Sequence, residues 1–85
     1  QGKYADAEPL FERFQAFLEK MFGPEHPSVA ATLNRRAVTL QGQGKYDEAE
    51  PLYVRAIAIG EKALGPDHAN VAQWLDNLAT LLQKQ

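Results

Sequence analysis

Cysteine is absent from these 85 residues. No disulfide framework, thiolate nucleophile or zinc finger can be built without it. Ser28 is the only serine, with no base or oxyanion donor placed to activate it, so a hydrolase-type triad finds no support. An excess of one charge is lacking too. Nine Lys and Arg stand against eleven Asp and Glu, interspersed along the chain. The formal net charge of -2 and the missing basic stripe argue against nucleic acid as a partner. No apolar run reaches the roughly 20 residues that span a bilayer, which argues against a membrane, and no secretory or transit segment leads the chain. With no cysteine, signal or membrane segment, the expected setting is cytoplasmic. Gln1-Gly2 at the start and Gln83-Lys84-Gln85 at the end read as the edges of a segment from a longer protein.

What the chain does have is an internal copy of itself. Gly2-Lys3-Tyr4 returns as Gly44-Lys45-Tyr46, and Ala7-Glu8-Pro9-Leu10 as Ala49-Glu50-Pro51-Leu52. Gly23-Pro24-Glu25-His26 returns as Gly65-Pro66-Asp67-His68, and Leu33, Ala37 and Leu40 return as Leu75, Ala79 and Leu82. The offset is 42 residues throughout, and about half of the aligned positions are identical. A fixed period of this length marks a repeat architecture, in which each unit buries its apolar face against its neighbours.

Hydrophobic period and punctuation predict four helices and no strand. Tyr4 to Phe22 places Ala7, Leu10, Phe11, Phe14, Phe17, Leu18 and Met21 at three- and four-residue spacing. Asp6 and Glu8 favour its first turn through the helix dipole, and Gly23-Pro24 stops it with a left-handed glycine cap. Tyr46 to Leu64 repeats the design and ends at Gly65-Pro66. Pro9 and Pro51 fall inside these helices, where each costs one hydrogen bond and bends the axis slightly. Gly60 should cost about 1 kcal/mol relative to alanine. The other two helices run from about His26 to Gly42 and from about His68 to Lys84. Their expected packing faces are Leu33, Arg36, Ala37 and Leu40 in one and Leu75, Leu78, Ala79 and Leu82 in the other. The short Gln43-Gly44-Lys45 linker makes the helices on either side antiparallel.

The run Leu33, Arg36-Ala37, Leu40, Gly44, Tyr46, Ala49, Tyr53, Ala56 resembles the tetratricopeptide repeat. Gly44 to Tyr53, followed by Gly65-Pro66-Asp67-His68, is similar to its kinesin-light-chain type. That resemblance implies an all-α fold of antiparallel helical hairpins stacked as a right-handed solenoid. The four helices then comprise a half repeat (1–22), a full repeat (about 23–64) and a half repeat (65–85). Two departures stand out: Arg36 where the family prefers leucine, and Phe14 where it prefers a small residue. On a packing face Arg36→Leu should stabilise, since burying leucine is worth about 1.5–3 kcal/mol.

No enzyme, metal site or cofactor is expected. His26 and His68 are equivalent positions one repeat apart, better suited to capping than to sharing a metal. Gly42-x-Gly44-Lys45 lacks the glycine spacing of a phosphate loop and the Ser/Thr after lysine. The informative strip lies opposite Leu33, Ala37 and Leu40. It carries Ala31, Asn34, Arg35 and Val38 in one copy and Gln73, Asp76, Asn77 and Thr80 in the other. The resemblance implies that these line a concave groove holding an extended peptide, with a protein-interaction scaffold as the function. The copies agree on most core slots and diverge on this strip, as a ligand-tuned or unconstrained surface would. The competing function is an architectural module that stacks end to end without a peptide. Its interface candidates are Phe11, Phe14, Phe17, Trp74, Leu78 and Leu82, with Trp74 equally readable as a packing residue. Head-to-tail self-association follows if the two ends are complementary.

Overall fold

The computed structural model describes the backbone of residues 2–85 and the side chains from residue 7 onward. Asp6, expected in an acidic first turn, has its side chain outside the described residues. Four helices follow one another: α1 (Gly2–Phe22), α2 (Pro27–Gly42), α3 (Tyr46–Leu64) and α4 (Ala69–Lys84). α1 begins two residues before the expected Tyr4, and α2 and α4 begin one residue after His26 and His68. Each histidine is an N-cap. Its Nδ1 accepts a hydrogen bond from the backbone N–H two residues on, at 3.0 Å from Ser28 and 3.0 Å from Asn70. The His26 ring also stacks on Phe22, with centroids 4.7 Å apart. Pro51 does not interrupt α3, and Pro9 does not interrupt α1.

The turns show why glycine recurs. Gly44 (φ +80°) closes α2 with paired hydrogen bonds, Lys45 N–H to the Leu40 carbonyl and Gly44 N–H to the Gln41 carbonyl. That crossed pair satisfies carbonyls the helix end would leave bare. Gly65 differs from expectation. At φ 96°, ψ 149° it occupies an extended region open essentially to glycine alone, not the left-handed helical cap. Its N–H still reaches the Glu61 carbonyl.

α2 packs on α1 and α3 and touches α4 at its edge, while α3 packs on α2 and α4. α2 therefore carries two packing stripes. Ala30, Leu33, Ala37 and Leu40 are buried against α3, in clusters with Ala49, Tyr53, Ala56 and Ile57. The stripe through Thr32, Arg36 and Thr39 faces α1. α4 has only one neighbour, and the expected face Leu75, Ala79 and Leu82 is exposed there. Its buried stripe is instead Val71, Trp74 and Leu81, with Leu78 half-buried against both clusters. Identical residues are thus buried in α2 and bare in α4, because α3 covers one set and no helix covers the other.

The two inter-repeat seams differ in chemistry. Between α3 and α4 the seam is apolar, and Trp74 lies over Gly60. A methyl at Gly60 would stand 2.6 Å from Trp74 Cζ3. Glycine is present because the indole needs the space, which the propensity argument alone misses. Between α1 and α2, Leu18 and Thr32 occupy the positions of Gly60 and Trp74, reversing large and small across the seam. Gln15 and Arg36 occupy the positions of Ile57 and Leu78. Arg36 is not an uncompensated charge on an apolar face. It donates to Glu8 Oε2 at 2.6 Å and to Gln15 Oε1 at 2.8 Å. Gln15 in turn donates to Glu19, which lies 3.5 Å from Arg55 of α3.

Arg36→Leu should therefore destabilise, the reverse of the sequence-based expectation. It strands Glu8, whose Oε1 already lacks a hydrogen-bond partner among the described residues, and Gln15, which is buried. A net loss of about 1–3 kcal/mol is expected in urea denaturation, and Gln15→Ile on top should recover part of it. A raised denaturation midpoint in the single variant would contradict the ionic seam. Gly60→Ala should lose about 1–3 kcal/mol through overpacking despite alanine's better helix propensity. Trp74→Leu in the same chain should relieve most of that loss, and the same melts would read it.

Candidate functional site

α2 and α4 run side by side, and the strip singled out in the sequence lies along them. Asn34 of α2 and Asn77 of α4 are half-buried and meet directly: Asn77 Nδ2 donates to Asn34 Oδ1 at 3.1 Å. Gln73 extends the row by donating to Asn77 Oδ1 at 3.2 Å. Three of the eight candidates thus form one hydrogen-bonded line joining the two helices. A shallow cleft of about 320 Å³ opens beside it, lined by Val38, Gln41, Asn77, Thr80 and Lys84, with Tyr53 reaching in from α3. Val38 is 48% exposed there, an apolar side chain left uncovered among polar ones.

The remaining candidates are scattered. Ala31 and Asp76 are exposed and line no part of the cleft. Arg35 turns toward α1, where its guanidinium lies 5.5 Å from the centroid of the Phe11 ring. That distance suits a cation–π contact and explains how a half-buried Phe11 is covered. Lys84 and Tyr53 join the cleft unforeseen. Tyr53 reads as a core residue from its spacing, and its ring is buried, but its hydroxyl emerges to donate to Gln41 Oε1 at 2.8 Å. The signal in the sequence was the tyrosine itself, since a buried ring with a polar tip needs a partner.

The end-face candidates also separate. Phe14, Phe17 and Leu82 are about half exposed. Phe11 and Leu78 are half-buried within the body. Trp74 is 5% exposed and packs on Gly60, so it is a packing residue and not a surface anchor. Leu10, Met21 and Leu75 are further large apolar side chains on the uncovered faces of α1 and α4.

Among the described residues, no group of three or more His, Asp or Glu is placed to hold a metal ion. No helix is long and apolar enough to cross a membrane. A tetratricopeptide repeat family model matches residues 28–85, more than half of the chain, and a second matches residues 1–28. The chain belongs to the tetratricopeptide repeat family. No curated protein sequence matches it significantly. Tetratricopeptide repeats are generally protein-interaction modules, and this chain is an all-α fragment of such an array.

The Tyr53 hydroxyl provides a test of the cleft floor. Burial disfavours the phenolate and raises its pKa above the ordinary value of 10.0. With the folded pKa above the unfolded one, this contribution to stability is complete below about pH 10 and is lost as pH climbs through the folded value. Tyr53→Phe should remove that alkaline decline and, at neutral pH, cost about 1 kcal/mol for the lost hydrogen bond to Gln41. Denaturation of both forms across pH 7 to 11 would check both effects (the pH range is a rough choice around the phenol's titration).

Proposed function

We propose that this tetratricopeptide repeat segment acts as a protein-interaction scaffold, taking an extended peptide along the strip shared by α2 and α4. The observation that carries the reading is the uncovered Val38 beside a polar row contributed by two helices. An apolar contact among convergent hydrogen-bonding groups suits a peptide: one side chain settles on Val38 while its backbone meets carboxamides. Asn34, Gln73 and Asn77 already bond to one another, which fixes their rotamers before a ligand arrives and limits the entropy lost on binding. Gln41 and Thr80 supply further polar contacts at the cleft, and Lys84 places a cation at its border. A co-chaperone-type carboxylate clamp is not supported, because the strip lacks the several Lys and Asn in register that it requires.

Titration of isotope-labelled protein with a panel of extended peptides, followed by amide chemical shifts, would test this. Perturbations should concentrate on Asn34, Val38, Asn77 and Thr80. Val38→Glu with Thr80→Glu should leave stability within about 0.5 kcal/mol per site and abolish those shifts. Binding retained by the folded double variant would exclude this face.

A further inference from the structure

We infer that α4 of one molecule is the docking site for α1 of a second copy of this chain, seated as α3 is seated on α2. The contact is already present once within the molecule. Leu33, Ala37 and Leu40 of α2 are at most 4% exposed because α3 lies on them. Leu75, Ala79 and Leu82 repeat them residue for residue in α4 and are exposed, Leu75 at 45% and Leu82 at 49%. The helix that covers the first set has a repeat-equivalent in this chain, and that helix is α1. The face of α1 that would make the contact is uncovered as well: Phe17, in the place of buried Ile59, is 55% exposed. Two apolar faces, each lacking the neighbour that the other provides, lie at opposite ends of one molecule.

The geometry also says what limits the contact. Gln85 and Gln1 both correspond to Gln43, so the C-terminus of one copy and the N-terminus of the next would converge where the α2–α3 turn lies. At the centre of the seam, however, Phe14 replaces Ala56, which is fully buried between α2 and α3. The facing residues in α4 are the same as in α2, so no smaller side chain compensates for the ring. Phe14 holds the second copy off the seat that α3 takes. The contact joins different surfaces and does not close on itself, so association proceeds head to tail beyond a dimer.

Sedimentation of the 85-residue chain over a concentration series reads the outcome. The expected result is growth past the dimer at high concentration. Leu82→Glu should prevent it while circular dichroism stays native, since the side chain is half exposed. Phe14→Ala separates this docking from general stickiness. It should tighten association roughly tenfold, because it removes the misfit of an overpacked seam. Weaker association in Phe14→Ala would overturn the proposal, as would a dimer that never grows, indifference to Leu82→Glu, or a monomer throughout. Leu75→Glu is a second probe of the α4 face, and association that survives both α4 variants would equally overturn it. Peptide binding to α2 and α4 is read independently, since neither Phe14 nor Leu82 lines that cleft.

Discussion

Each first-type helix of this chain carries two packing stripes and is satisfied only when a helix lies on each. α2 has both neighbours, and its Val29, Ala30, Leu33 and Ala37 are wholly buried. α4 has one, and half of an equally apolar helix stands in solvent. The rest of the structure follows from this requirement. The core is not a central mass. It is a chain of seams, each closed by whichever helix comes next, as expected of a quasi-one-dimensional architecture. Small domains bury a modest share of their surface, so one uncovered helix face weighs heavily here.

The two seams that join successive repeats solve the same packing problem in opposite ways. Trp74 over Gly60 fills the α3–α4 seam with one large ring in a space that only glycine leaves. The α1–α2 seam reverses the sizes and places the Arg36–Glu8–Gln15 network where Ile57 and Leu78 stand in the other. A charged seam offers less net stabilisation than an apolar one of the same size, because desolvation offsets much of the attraction. It does, however, fix partners. Arg36 can be satisfied only by a helix presenting Glu8 and Gln15 at the right height. Conserving one period therefore does not conserve one kind of interface.

The candidate groove depends on the same stacking. Asn34 and Asn77 are 43 positions apart in the chain and touch only because α2 and α4 are brought side by side. The offset places them in different repeat slots, so no position-by-position comparison of the copies pairs them. The cleft beside them borrows Tyr53 from the helix behind, whose hydroxyl crosses the seam to Gln41. A surface strip on one helix becomes a site when the neighbouring helices add a floor and a second wall.

The sequence by itself determined the four helices, their ends and their antiparallel order, because these rest on local physics. Apolar spacing, histidine caps and glycine turns each act within a few residues of their own position. It also determined the family, which a 42-residue echo makes hard to mistake. Only the tertiary structure decided what each equivalent residue does. Leu33 and Leu75 are the same amino acid in the same local setting, yet one is core and the other is surface. Arg36 was legible as an exception but not as a partner of Glu8, a residue 28 positions away whose direction no local pattern encodes. Gly60 looked like a helix weakness until Trp74 was found above it. Burial, charge pairing and steric room are properties of neighbours, and in a stacked array the neighbours are set by the order of the helices.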